Sequence, residues 1–150
     1  MIVEGHVTHL LLALLVAAGA AESDRVAMTV QAEGSPVTID RAVVLSAADG
    51  PPVLRYAATN VTDDDLEQFT VIVLVFDPAG VLKSRHIAPG RHLLDARTTK
   101  YSAMVLDGAP IDATDVVVVG ANQAQEVGSD LWWRADLHTL AEAAVKSRTP

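Results

Sequence analysis

The sequence contains no cysteine. That absence excludes disulfides, thiol catalysis and cysteine-ligated zinc, and it excludes a lipid-modified cysteine behind an export signal. Aromatic residues are scarce, with two Phe, two Tyr and two Trp in 150 residues. The core must therefore be filled by small and β-branched side chains, which suit pleated sheets better than long helices. Basic residues are outnumbered 11 to 19 by acidic ones, for a formal charge of -8. Such a chain lacks the basic stripe that a nucleic-acid backbone requires, so no nucleic-acid partner is expected. Arg85, Arg91, Arg97 and Lys100 are the one basic cluster, and they read as a solvated sheet edge. There is no G-x-S-x-G, no P-loop and no G-x-G-x-x-G. The chain thus shows no usual enzyme signature and implies no cofactor.

What is present begins with an apolar run, Leu10 to Ala18 (LLLALLVAA), followed by Gly19, Ala20 and Ala21. An apolar core of this length ending in small residues is the pattern of a secretory signal. It is too short to span a bilayer, which takes about 20 apolar residues. The opening MIVEGHVTH departs from that pattern, for it has no Lys or Arg. The expected organisation is a signal peptide over 1–21 and one domain over 22–150, periplasmic or secreted. A domain of this size removes roughly two-thirds of its unfolded surface from water, so it builds a core without staples.

Beyond the leader, apolar runs recur at short intervals between turn residues. Ala27 to Gln31 reads as a weak first strand. Val37 to Leu45 alternates, placing Val37, Ile39 and Arg41 on one face. AADGPP at 47–52 is a turn, and Val53 to Val61 is a strand. Phe69 to Phe76 (FTVIVLVF) is the strongest strand, and with Val81 to Ile87 it forms a hairpin about Asp77-Pro78-Ala79-Gly80. Leu93 to Leu106 holds one long or two short strands, and Val116 to Ala121 is a late central strand. After these the period changes. Trp133, Leu137, Leu140, Ala141 and Ala144 recur at helical spacing, with Ser129 or Asp130 as the cap. About seven strands with no helix between them predict an immunoglobulin-like antiparallel β-sandwich closed by one C-terminal α-helix. Phe69 to Phe76 and Val116 to Ala121 are apolar at nearly every position, so both faces of these strands must be covered. The helix is the nearest cover, and a dimer partner is the other candidate.

The stretch from Val53 to Gln125 resembles the small FxLYD-like immunoglobulin-like domains of exported bacterial proteins. The resemblance rests on the strand ending in Thr59-Asn60, the polar turn Thr62 to Asp65, and FTVIVLVFDPAGVL with Phe76-Asp77 and Gly80. Pro89-Gly90 and the late Val-rich strand also fit. It covers about half the chain, and the helix and the Trp pair lie outside it. It implies a fold and an envelope setting, and it brings no catalytic residues.

Several residues could carry chemistry. His86, His92 and Asp95 are of the types that ligate zinc or copper. Their spacing matches no established motif, so scattered surface residues are expected, with a metal carrier or metal enzyme as the alternative. Asp63, Asp64 and Asp65 are adjacent, which suits a solvated turn better than the alternating ligands of a calcium loop. Asp107, Asp112 and Asp115 are read in the same way. Trp132 and Trp133 point in different directions. Trp133 belongs to the core and Trp132 is the candidate ligand contact, for instance with a sugar. Asn60-Val61-Thr62 is a glycosylation sequon of incidental meaning in a bacterial setting. The leading expectation is a non-catalytic binding or assembly module of the cell envelope, meeting an envelope protein or a second copy through a sheet edge or an apolar sheet face.

Overall fold

The computed structural model describes residues 24–46, 48–90 and 93–148. The expected leader and His92 lie outside the described residues. Among the described residues nine strands precede one helix: β1 Arg25–Val26, β2 Met28–Thr29, β3 Val37–Leu45, β4 Val53–Asn60, β5 Leu66–Phe76, β6 Leu82–Gly90, β7 Thr99–Val105, β8 Val116–Glu126, β9 Trp132–Arg134 and α1 Leu137–Lys146. One sheet has the order β1-β3-β4-β7. The other runs β2-β8-β5-β6, with β9 also paired to β8. Over β3 to β9, the first, second and fifth strands share one sheet and the other four share the second. This is an immunoglobulin-like sandwich. All pairings are antiparallel except that of β2 with β8.

The expected first strand is split. The chain pairs with β3 through Arg25 and Val26, crosses at Ala27, and pairs with β8 through Met28 and Thr29. The crossing is pinned where the Ala27 amide donates to the Ala42 carbonyl at 2.9 Å. Beside it, the β3–β4 register shifts between Asp40 and Val43, and Arg41 takes φ 52°. Such a bulge inserts extra residues and re-aims a side chain. Arg41 therefore leaves the face of Val37 and Ile39, contrary to simple alternation, and stands exposed.

The doubly apolar strands are explained by two layers of packing. Val71, Val73 and Val75 of β5, with Val117, Val119 and Ala121 of β8, face the other sheet in the main core. Ile72, Leu74 and Phe76 of β5, with Val118 of β8, face outward and lie under Leu137, Ala141 and Val145 of α1. The helix is thus the cover that the sequence calls for. Gly120 of β8 makes its close approach possible. A Cβ there would stand 2.8 Å from the Leu137 side chain and 2.8 Å from the Val30 carbonyl oxygen.

The helix starts later than helical spacing suggests. Asp136 is its N-cap, accepting from the amides of His138 and Thr139. Trp133 lies instead on β9, opposite Ala124, and packs against both cores. The stripe that α1 buries is Leu137, Ala141 and Val145, while Leu140 is exposed.

Candidate functional site

The two sheets differ on their outer faces. Where α1 covers one, the outer face of β1-β3-β4-β7 is free of any described helix. Its register follows from the pairing of β4 with β7. Arg55 lies opposite Ala103, and Ala57 lies opposite Tyr101. Each large side chain thus stands opposite an alanine, and on this face lies a hollow of about 290 Å³. Its lining includes Arg41, Val43, Leu45, Arg55, Tyr101 and Ser102, with the exposed Asp24 at the rim. Tyr101 is 68% exposed, and its hydroxyl accepts from Arg41 Nη1 at 3.2 Å. Beneath it Tyr56 is buried, which raises its hydroxyl pKa above the ordinary value, opposed by a hydrogen bond with Ser102. Among the described residues, no carboxylate lies within ion-pair distance of Arg41 or Arg55. Two guanidinium groups without acidic partners are notable in a chain with excess acid. They offer planar donors suited to a carboxylate.

The edge of the same sheet is the second feature. β7 is its last strand. The Leu106 amide donates to the Pro52 carbonyl, and the Asn60 amide donates to the Thr98 carbonyl. Backbone groups alternate in direction along a strand. The even-numbered positions from 98 to 106 therefore face β4, and the N–H and C=O groups of Thr99, Tyr101, Ala103 and Val105 face away from the sheet. Natural edges are blunted by short length, proline, bulges or charge. β1 and β2 have two residues each, and β6 carries Lys83, Arg85 and Pro89. β7 has seven residues, TKYSAMV, with no Pro, no Gly, no bulge and Lys100 alone as a charge.

The residues singled out from sequence are dispersed. His86 pairs with Val73 on β5, while Asp95 follows Leu94, which bridges to Leu66 at the far end of that strand. Seven strand positions correspond to roughly 20 Å, so these two residues do not share a metal site. Among the described residues no group of three His, Asp or Glu is arranged to hold a metal ion. His86 is half-buried, with Nε2 3.2 Å from Ser84 Oγ. Burial lowers its pKa below 6.5, and the charge of Asp107 partly opposes this. A depressed histidine pKa means that the folded state favours the neutral ring. Its contribution to stability is complete above pH 6.5 and is lost as pH falls through the folded value. Urea unfolding is expected to show stability falling as pH drops below 6.5, less steeply in His86→Gln. An equal slope in the variant would assign the effect to other groups.

The aspartates hold turns together rather than a cation. Asp63 pairs with Arg97 at 2.8 Å, and Asp65 Oδ1 accepts from the Ala96 amide at 2.7 Å. Asp112 and Asp115 both pair with Lys83, at 2.9 and 2.6 Å. Hydrogen bonds to Asp115 first, then Asp112, raise the Lys83 pKa. Trp132 is 41% exposed and pairs with Gln125. The Arg134 guanidinium carbon sits 5.8 Å from its ring centroid, so one face is already stacked. Sequence reasoning missed the Arg41–Arg55–Tyr101 face. The available signal was Arg41, an arginine in an otherwise apolar alternation.

No protein-family model, no curated protein and no solved structure matches this chain. No helix among the described residues is long and apolar enough to cross a membrane.

Proposed function

We propose that this protein is an exported, non-catalytic binding module of the cell envelope that takes up an extended segment of a partner protein along β7. The observation that carries the reading is the edge of β7, where four residues present backbone donors and acceptors that no described residue pairs. Added strands gain affinity from the main chain and specificity from alternate side chains. The apolar leader at Leu10 to Ala18 supports an exported setting. The -8 charge works against a second copy, so a different envelope protein is the partner proposed.

The test exploits the direction of the backbone. Ala103→Pro removes an outward N–H and leaves the ladder to β4 intact, and proline is tolerated at such edge positions. The wild-type chain is expected to co-purify with an envelope protein, and the variant to melt within a few degrees of the wild type yet lose that protein. A variant that folds and keeps its partner overturns the reading.

A further inference from the structure

We infer that the hollow over β3, β4 and β7 is a binding site for a small amphipathic monocarboxylate. This inference uses side chains above the sheet and is independent of the strand pairing proposed at its edge. Three observations converge on that ligand class. Arg41 and Arg55 line one hollow with no carboxylate partner among the described residues. A guanidinium grips a carboxylate through two parallel N–H bonds, and weak hydration makes it suited to a partly desolvated site. Val43 and Leu45 add an apolar stretch to the lining, beside the exposed Tyr101 and with Tyr56 and Ser102. A ligand seated there therefore has an anionic end and an apolar body, the usual division of labour in a small-molecule site.

The charge count selects among anions. Two arginines face the hollow and Asp24 stands at its rim, which leaves one net positive charge. One negative charge balances this, and a polyphosphate would meet Asp24 with excess charge of like sign. The Arg41 backbone adds a sign of a built site. It is held at φ 52°, a conformation uncommon outside glycine, in the bulge that brings its side chain over Tyr101.

The test is a titration of the labelled chain with sodium octanoate, followed by backbone amide shifts. Saturable shifts are expected at Arg41, Arg55 and Tyr101, with none for hexylammonium, which shares the apolar body but not the charge. Arg55→Gln and Arg41→Gln, both at exposed positions, are each expected to weaken octanoate at least tenfold while the rest of the spectrum stays in place. Equal binding of hexylammonium would overturn the inference, since it would leave only apolar contact. So would octanoate affinity unchanged in Arg55→Gln, or the absence of saturable shifts at these three residues.

Discussion

Asn60→Asp is expected to destabilise the domain by at least about 3 kcal/mol, although the two side chains have almost the same shape. Asn60 is 0% exposed. Its Nδ2 donates to the carbonyls of Asp64, Leu94 and Asp95 at 2.8, 3.0 and 3.3 Å. Its Oδ1 accepts from the amide and the hydroxyl of Thr62 at 2.9 and 2.8 Å. One side chain thus ties the end of β4 to the Thr62–Asp65 turn and to the Leu94–Asp95 segment. A carboxylate in its place would turn an acceptor toward three carbonyl oxygens, in a site that water does not reach. Asn60→Ala is expected to cost a similar amount, because it leaves the same buried groups without partners. Such a loss is a large fraction of the roughly 5–15 kcal/mol that holds a domain together. Urea unfolding of both variants checks this, and a change below about 1 kcal/mol would refute the assigned role. The aspartate variant should also recover stability on acidification. Its new carboxyl has a raised folded pKa, so its penalty fades as protonation restores a donor. The burial of Asn60 settles a further point: the Asn60-Val61-Thr62 sequon is closed to modification in the folded domain.

Removal of α1 is expected to abolish the folded monomer. A chain ending at Ala135 loses the buried Leu137, Ala141 and Val145 and uncovers Ile72, Leu74, Phe76 and Val118. At about 1.5–3 kcal/mol for each large apolar side chain, the loss is comparable to the whole stability of a domain. The bared face is a contiguous apolar patch on a sheet, a feature that drives association. Light scattering and dye binding to exposed apolar surface give the readout. Oligomers or a loosely packed state are expected. A soluble monomer with unchanged melting would show that the helix does not cover the sheet.

The sequence makes the central strands and the helix legible for a physical reason. FTVIVLVF and VVVVGA lack alternation, and only strands packed on both faces tolerate that. The start of the helix is less legible. Trp133 stands at i-4 from Leu137, as a helical neighbour would, but its place is decided by pairing with Ala124. Asp136 then caps the helix from the next turn of chain. The bulge at Arg41 depends on the chain crossing at Ala27, a tertiary event with no local signature. The pairing of Lys83 with the buried Asp115 and the hollow between Arg41, Arg55 and Tyr101 were hidden for the same reason. They join residues distant in sequence, and only strand register brings them together. His86 and Asp95 show the converse, since nearness in sequence did not survive the run of β6 along β5.

The proposed strand addition depends on the outward backbone of β7, and amide hydrogen exchange reads that backbone residue by residue. The chain would be measured alone and in complex with a partner protein isolated from the envelope. In the bare chain, the amides of Tyr101, Ala103 and Val105 should exchange quickly, and those of Ser102 and Met104 slowly, in keeping with the direction of each group. In the complex, the outward amides should become protected to the level of their neighbours. A complex that forms while Tyr101, Ala103 and Val105 continue to exchange as in the bare chain would contradict strand addition at this edge.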